Sequence, residues 1–194
     1  MSETNRAPRT PSADRTIVLV GLMGSGKSTI GRRLAKRLGL QFVDADEEVE
    51  KAAGCSIEDI FAFHGEEAFR DGEHRVIRRL LRGPVHVLAT GGGAFLDERT
   101  RETVADLGIS VWLRADVEVL VRRVRRNDSR PLLRNGDPKE ILEQLKKERD
   151  PVYALADLTV DSGDGAAEAV VEDILDMLRE RVEAGSREAD KVSP

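Results

Sequence analysis

Residues 21–28 have the sequence GLMGSGKS, which matches the pattern G-x-x-x-x-G-K-[ST] of a phosphate-binding loop. Glycines let the backbone turn tightly, so that successive N–H groups can point at a polyphosphate. The Lys27 ammonium can reach the β- and γ-phosphates of a nucleotide, and the Ser28 hydroxyl can ligate Mg²⁺. The sequence therefore predicts a nucleotide site with Lys27 as a catalytic residue and with contacts from Gly24, Ser25, Gly26, Lys27, Ser28 and Thr29.

The sequence around this loop supports the same interpretation. An apolar segment, TIVLV at 16–20, precedes it and predicts a buried strand. The segment 29–38 follows and predicts a helix with Ile30, Leu34 and Leu38 on one face. The amino end of that helix adds the positive end of its dipole to the site. A glycine-rich turn that binds nothing is the alternative, and the coincidence of strand, glycine spacing, Lys-Ser pair and helix disfavours it.

Two carboxylates, Asp44 and Asp46, follow the short apolar segment 41–43. In an extended segment, side chains two positions apart point the same way. One carboxylate could then ligate Mg²⁺ while the other accepts a hydrogen bond from an attacking hydroxyl. The alternative is an acidic pair at the start of a helix. The loop upstream favours the functional interpretation.

Arginines outside the loop are candidates for binding a carboxylate. Glu73 lies three residues after Arg70 on a predicted helix, where it could hold the guanidinium rigid. The alternative for Arg70 is a solvated helix face. Arg149 precedes Pro151, which predicts a break after the helix, so its side chain could face the mouth of a pocket.

Three glycines, Gly91, Gly92 and Gly93, directly follow the predicted strand 85–89. Glycine loses more backbone entropy on folding than other residues, so three glycines are unfavourable in a turn to which no other group must come close. They indicate close approach of a ligand, with N–H groups as donors, and a flexible turn is the alternative.

A basic cluster precedes the segment 131–133 and consists of Arg122, Arg123, Arg125, Arg126 and Arg130. A solvated helix is one alternative for some of these residues. Contact with nucleic acid is another, but no aromatic residues are interleaved for base stacking. The flanking turn signals favour a mobile lid, whose arginine could close over the transferring phosphoryl group.

The composition indicates one globular domain, since the chain has 194 residues, 40% of them apolar and 35% charged. A formal net charge of −5 gives no basic field for nucleic acid, and no apolar run is long enough for a membrane span. The single Cys55 excludes an internal disulfide and suits a reducing compartment. We expect a cytoplasmic monomer, with a disordered arm at 1–14, a domain at 15–182 and a flexible tail at 183–194.

Predicted strands and helices alternate along the chain, which indicates an α/β fold with a parallel sheet covered on both faces. The five strands are predicted at 16–20, 41–43, 85–89, 109–113 and 157–160. The helices are predicted at 29–38, 47–53, from 56, and at 66–81, 98–107, 117–125, 139–149 and 166–182. Ligands of such sheets bind beyond the carboxyl ends of the strands, so we expect the loop, the acid pair and the glycines to converge.

Together these motifs resemble the shikimate kinase family over about residues 17–178. The phosphate-binding loop alone indicates only a nucleotide, whereas the ordered set is more specific. The matching segments are GLMGSGKS (21–28), FVDAD (42–46), SIEDIF (56–61), GEEAFR (65–70), GGGA (91–94), RPLL (130–133) and ERDPVY (148–153).

The resemblance implies ATP- and Mg²⁺-dependent phosphorylation of the 3-hydroxyl of shikimate, a step towards chorismate and the aromatic amino acids. It also implies a three-layer P-loop kinase fold. Its five-stranded parallel sheet, in the order 2-3-1-4-5, would be flanked by helices, with a lid at about 125–138.

Residue roles follow from the resemblance position by position. Asp46 would touch the reacting hydroxyl and be catalytic, and Asp44 with Ser28 would hold Mg²⁺. Arg130 would reach the phosphates from the lid and be catalytic, and Arg123 would contact adenine. The substrate site would consist of Asp46, Arg70, Gly91, Gly92, Gly93 and Arg149, with the two arginines on the shikimate carboxylate.

Two departures from the family pattern leave points open. The segment 154–156 reads ALA where the family often has charged residues, and the spacing through 122–126 does not fix which arginine contacts adenine. Another small-molecule P-loop kinase, such as a gluconate or nucleoside monophosphate kinase, is the nearest alternative. A GTPase would need an Asn-Lys-x-Asp segment, which the sequence lacks. A motor ATPase would need an apolar strand that ends in an acid, whereas the strand 85–89 is followed by Thr90 and glycines. A non-enzymatic nucleotide-binding module is disfavoured because Lys27, Ser28, Asp44 and Asp46 are all retained.

Overall fold

The computed structural model of the chain describes residues 14–125 and 136–192. Its strands are β1 (Thr16–Val20), β2 (Gln41–Asp44), β3 (His86–Ala89), β4 (Gly108–Arg114) and β5 (Leu158–Asp161). All pairings between them are parallel, and their order in the sheet is β2-β3-β1-β4-β5. The predicted α/β fold and the predicted strand order are therefore confirmed.

Helices connect consecutive strands and cover both faces of the sheet. They are α1 (Lys27–Leu38), α2 (Ala45–Ala53), α3 (Ile57–Leu81), α4 (Glu98–Leu107), α5 (Val117–Val124), α6 (Pro138–Tyr153) and α7 (Ala167–Val192), with a 3₁₀ turn at Ala94–Leu96. Within 14–125 and 136–192, no helix combines the length and apolar character needed to cross a bilayer. The predicted arm up to residue 13 and most of the predicted lid, including Arg130, lie outside the described residues.

Strand β1 is the centre of the core and is buried along its whole length. Its side chains alternate between the faces, as the pleat of a strand requires. Ile17 and Leu19 pack in one apolar cluster with residues of α1 and α7. Val18 and Val20 pack in a second cluster with residues of α3, α5 and α6. A strand that is apolar on both faces is typical of a parallel sheet between two helical layers.

The element α3 joins two helices that the sequence predicted separately. Gly65 lies between them with φ 79° and ψ 176°, a backbone region that is essentially restricted to glycine. The Ser56 hydroxyl accepts a hydrogen bond from the Asp59 N–H at 3.1 Å, so Ser56 caps this element at the position where the sequence predicted its start.

Two helices extend beyond their predicted ends. The prediction that Pro151 marks a break after the helix is wrong, because α6 continues to Tyr153. Tyr153 is fully buried, with its ring centroid 6.0 Å from that of Trp112, so packing holds the last turn although proline lacks an N–H. The helix α7 reaches Val192, so the backbone is helical over most of the segment predicted as a flexible tail.

The carboxyl ends of the strands form one edge of the sheet. Thr90 extends the contact between β3 and β1, since its N–H and its hydroxyl both donate to the Leu19 carbonyl, at 3.2 and 3.0 Å. The loop after β1, the end of β2 and the glycines after β3 all lie at this edge, as predicted.

We predict that Gly31 is required for the packing of α1 on the sheet. A Cβ at this buried position would lie 2.5 Å from Phe42 Cε2 and 3.1 Å from Leu19 Cδ1. Gly31→Ala should lower the free energy of unfolding by about 1–3 kcal/mol because the core is overpacked. Gly72→Ala is the matched control, since no atom of residues 14–125 or 136–192 outside its own helix turn lies within 4 Å of a Cβ there. It should leave the stability unchanged or raise it by up to about 1 kcal/mol. Urea denaturation of both variants would test this, and equal midpoints would contradict it.

Candidate active site

The loop between β1 and α1 adopts a conformation that requires glycine. Gly24 and Gly26 have φ of 82° and 98°, in the left-handed region that other residues rarely adopt. Gly26 is the N-cap of α1, so the free N–H groups at this helix end face the loop. This is the backbone arrangement by which helix amino ends bind phosphate.

Lys27 and Ser28 lie in the first turn of α1. The Lys27 ammonium donates to the carbonyls of Gly21 and Leu22, at 2.7 and 3.0 Å, and so lies across the loop. The Ser28 hydroxyl donates to Asp44 Oδ2 at 3.1 Å, which joins the start of α1 to the end of β2.

A cavity of about 1090 Å³ opens over this loop. Most of the residues predicted to bind the nucleotide line this cavity. Ser25 does not, because it is buried within the loop and only 1% exposed. Gly93, Arg70 and Arg149 are not among the lining residues, but Gly93 directly follows two lining residues and both arginines lie beside the glycines. The predicted residues that line the cavity are Gly24, Gly26, Lys27, Ser28, Thr29, Asp44, Asp46, Gly91, Gly92 and Arg123.

Asp44 and Asp46 converge on the cavity, but not by the predicted geometry. They are not two residues of one extended segment, because Asp44 ends β2 while Asp46 is already in the first turn of α2. Asp44 Oδ1 caps that helix by accepting the Asp46 N–H at 3.2 Å. Burial, and then the nearby Asp44 carboxylate, raise the pKa of Asp46, while the Lys27 ammonium opposes them. A carboxylate with a raised pKa is suited to accepting a proton.

Gly91, Gly92 and Gly93 contact side chains from three different elements. A Cβ at Gly91 would lie 2.7 Å from Asp46 Oδ1 and 2.9 Å from Glu73 Oε1. A Cβ at Gly93 would lie 2.7 Å from Arg70 Cζ, and one at Gly92 3.6 Å from Arg149 Nη1. The glycines therefore leave room for two carboxylates and two guanidiniums around one short segment.

Glu73 forms an ion pair with Arg70, as their spacing of three residues on a helix predicted. Arg70 Nη1 donates to Glu73 Oε2 at 2.6 Å, and the Glu73 side chain is only 2% exposed. The other oxygen, Oε1, has no hydrogen-bond partner among the described residues. Burial raises the pKa of Glu73 to about 7, although Arg70 opposes this rise. Glu73 thus fixes the Arg70 guanidinium through Nη1, and the exposed Glu66 carboxylate contacts Nη2 at 3.4 Å.

Arg149 and Tyr153 approach the glycines from α6. Both donate to the Gly92 carbonyl, Arg149 through Nη1 at 3.4 Å and Tyr153 through its hydroxyl. Burial raises the pKa of Tyr153 to about 12, so this hydroxyl remains a donor at neutral pH. With Arg70 and Arg149 on either side, the segment forms a pocket edge that is suited to a carboxylate.

Comparison with known proteins gives one consistent result. The family model for shikimate kinase matches residues 23–179. The chain is 59% identical over 164 residues to a shikimate kinase of Paramagnetospirillum magneticum, covering 84% of this chain and 84% of the relative. It is 58% identical over 170 residues to one of Caulobacter vibrioides, covering 88% and 85%.

The chain belongs to the shikimate kinase family. Its fold is also similar to that of a shikimate kinase from Acinetobacter baumannii solved in complex with shikimate. The TM-score is 0.81 at 40% identity, covering 86% of this chain and 94% of that one. The resemblance inferred from the motifs is therefore confirmed.

Of the three arginines of the 122–126 cluster that the structure describes, Arg122, Arg123 and Arg125, it is Arg123 that lines the cavity. Arg122 instead pairs with Asp164, and Arg125 is exposed. The Arg123 guanidinium is half-buried against backbone carbonyls, and this burial lowers its pKa.

Several residues at the site were not predicted. Ile57, Phe61, Thr90 and Ser162 line the cavity. Thr90 and Ser162 directly follow β3 and β5, so the rule that ligands bind after parallel strands could have identified them. Ile57 and Phe61 belong to the matching segment SIEDIF (56–61), but their apolar side chains suit a helix core equally well, so no site role was assigned to them.

We predict that Glu73 makes the stability of the fold depend on pH. Its pKa is about 7 when folded and 4.5 ordinarily, so between these values the folded chain holds a proton that the unfolded chain has lost. The free energy of unfolding should therefore fall as the pH rises from 4.5 to 7, by up to about 3 kcal/mol for this one group.

Denaturation of the wild type and of Glu73→Gln at intervals across this pH range would measure the effect. The stability of Glu73→Gln relative to the wild type should rise with pH. Glu66→Gln is the control, because Glu66 also pairs with Arg70 but is exposed, and it should keep the wild-type slope. A constant difference between wild type and Glu73→Gln would contradict the prediction.

Proposed function

We propose that this chain transfers the γ-phosphoryl group of ATP to the 3-hydroxyl of shikimate, giving shikimate 3-phosphate and ADP. Membership of the family supports the activity, and the close shikimate kinase relatives support the substrate. One structural observation carries the proposal. The segment Gly91–Gly93 lies between the phosphate-binding cavity and a pair of arginines, with the Asp46 carboxylate beside it.

The acceptor site matches shikimate, which has one carboxylate and several hydroxyls. Arg70 and Arg149 would bind the carboxylate, since guanidiniums recognise this group with paired hydrogen bonds. Glu73 fixes Arg70 in place, so little side-chain entropy is lost on binding. The glycine N–H groups and Asp46 would hold the hydroxyls at the cavity side.

The reaction needs a proton acceptor and positive charge. The oxygen of the 3-hydroxyl would form a bond to the γ-phosphorus while Asp46 accepts its proton. The bond between the γ-phosphorus and the oxygen that leaves with ADP would break. Lys27 would neutralise the charge on the phosphate oxygens. The sequence prediction that Arg130 acts from the lid, over about 125–138, belongs to the same proposal.

A magnesium ion fits beside the phosphate loop. The Ser28 hydroxyl and the Asp44 carboxylate are 3.1 Å apart, and both are oxygen ligands of the kind Mg²⁺ prefers. The described residues contain no group of three or more acidic, histidine or cysteine side chains that could hold a metal alone. Phosphate oxygens and water would therefore complete the shell, as is usual for Mg²⁺ with nucleotides, and the ion would supply charge neutralisation.

The remaining predictions belong to the same proposal. Arg123 would lie at the adenine side of the cavity, where Gly165 and Ala167 also line the wall. The monomeric state that was expected from the sequence is part of the proposal as well. The use of ATP suits the cytoplasmic location that was expected from the sequence.

An assay with purified protein and MgATP would test the substrate directly. ADP formation should require shikimate and should be absent with gluconate or a nucleoside monophosphate. Mass spectrometry of the product should show one added phosphoryl group on shikimate. Turnover of gluconate but not shikimate would replace this proposal with the gluconate kinase alternative.

We predict that Asp46→Asn removes the proton acceptor while preserving the shape of the site. The kcat should fall by about 10²–10⁴-fold, the usual contribution of a positioned acid or base. The KM for ATP should change little, because the phosphate contacts come from the loop after β1. Steady-state kinetics would measure both values, and a kcat within a factor of three of wild type would exclude this role.

A second prediction uses the contact between Gly93 and Arg70. Gly93 has φ −97° and ψ −14°, which alanine adopts freely, so Gly93→Ala should fold. Its Cβ would displace the Arg70 guanidinium, because it would lie 2.7 Å from the central carbon Cζ and closer still to Nη2. The KM for shikimate should rise by about 10- to 100-fold, as expected for loss of a charged hydrogen bond of roughly 1.5–3 kcal/mol.

Gly72→Ala is the control for this substitution, because Gly72 is near Arg70 in α3 and its added Cβ would have no described atom within 4 Å. It should keep the wild-type KM for shikimate, and neither variant should change the KM for ATP. An unchanged KM for shikimate in Gly93→Ala would place the carboxylate elsewhere.

A further inference from the structure

Arg123 is joined to the backbone of two separate loops. Its Nη1 donates to the carbonyls of Gly24 and Ser25 in the phosphate loop, both at 3.3 Å. The same guanidinium donates to the loop after β5, through Nη2 to the Gly163 carbonyl at 2.6 Å and through Nη1 to Ser162 Oγ at 3.1 Å. Its donors are therefore directed at protein carbonyls and a hydroxyl within the wall of the cavity.

Ser162 also connects the phosphate loop with the loop after β5. It is completely buried, and its hydroxyl donates to the Ser25 carbonyl at 2.7 Å while accepting from Arg123. Its N–H donates to the Arg114 carbonyl at 2.6 Å, which extends the pairing of β4 with β5 by one residue. Ser162 is thus fixed to the sheet, and through its hydroxyl it fixes the Ser25 carbonyl.

The orientation of this carbonyl determines the orientation of an amide in the phosphate site. The Ser25 carbonyl and the Gly26 N–H belong to one peptide plane, and no peptide bond in the described residues is cis. In a trans peptide the two groups point in opposite directions. Because the carbonyl points at Ser162 and Arg123, the Gly26 N–H points away from them, and Gly26 lines the cavity.

We propose that Arg123 and Ser162 form a carbonyl latch, a pair of positioning residues that aims the Gly26 amide at the nucleotide phosphates. Without the latch this peptide could rotate, since both flanking positions, Ser25 and Gly26, lie in a loop and glycine has wide conformational freedom. The neighbouring ion pair between Arg122 and Asp164 also holds the loop after β5 against α5. The latch acts through the phosphate loop and does not depend on contact with the base.

This inference rests on the proposed use of ATP, and it can be tested separately from the acceptor. Calorimetry would measure the affinity for MgATP and for magnesium tripolyphosphate, which has the phosphate chain but no base. The variants are Ser162→Ala, which removes the hydroxyl, and Arg123→Lys, which keeps the charge but loses the forked geometry. Ser162→Ala should weaken both ligands by a similar factor of about 3–10, in line with one lost hydrogen bond. Arg123→Lys should weaken both by at least as much.

Ser110→Ala is the matched control. Ser110 is also buried, and its hydroxyl also donates a hydrogen bond, to Asp157 Oδ2. It lies near the start of β4, at the amino ends of the strands and so away from the cavity. This variant should lower the melting temperature without changing the affinity for either ligand. The KM for shikimate should stay at the wild-type value in Ser162→Ala, which a general loss of structure would not allow.

Each remaining outcome has a defined meaning. Weaker binding of MgATP alone, with unchanged tripolyphosphate binding, would overturn the latch in favour of contact with the base. Unchanged affinity for both ligands, or no tripolyphosphate binding by the wild type, would also overturn it. If Ser162→Ala fails to fold, Arg123→Lys decides, because its side chain is only half-buried. A wild type that binds MgATP but does not phosphorylate shikimate would refute the proposed function and leave the latch intact.

Discussion

The site depends on a segment without side chains at the end of a central strand. Gly91–Gly93 follow β3. A Cβ at Gly91 would overlap Asp46 and Glu73, one at Gly93 would overlap Arg70, and one at Gly92 would contact Arg149 at 3.6 Å. These four residues come from α2, α3 and α6, which are far apart along the chain. The end of β3 therefore fixes the position of this segment. Because the glycines have no side chains, the carboxylates and guanidiniums can lie close to it.

Burial sets the chemical character of the charges around this segment. Glu73 has one oxygen paired with Arg70 and one without a partner among the described residues, so its ionised form is poorly compensated. Asp46 is also partly buried and lies near Asp44, which further disfavours its charge. A hydroxyl that approaches Asp46 therefore meets a base of raised proton affinity, while a carboxylate meets the fixed Arg70 guanidinium.

The donor and acceptor halves of the cavity are joined through the backbone. Thr90 donates twice to the Leu19 carbonyl, which ties the start of the glycine segment to the strand that carries the phosphate loop. On the other side, Arg123 and Ser162 tie that loop to the end of β5. Phosphoryl transfer requires accurate placement of two substrates more than covalent participation, and these backbone contacts set the relative positions of their binding groups.

The sequence by itself determined the elements and the residues of short spacing. It gave the phosphate loop from the glycine pattern, the alternating strands from apolar runs, and the Arg70–Glu73 pair from helical periodicity. Only the tertiary structure decided contacts between distant segments. The Ser162 hydroxyl reaches Ser25 across 137 positions and the Tyr153 hydroxyl reaches Gly92 across 61, and both need the assembled sheet. Local patterns also failed at Pro151, where burial of Tyr153 outweighed the local preference, because packing energy is not encoded in a window of neighbouring residues.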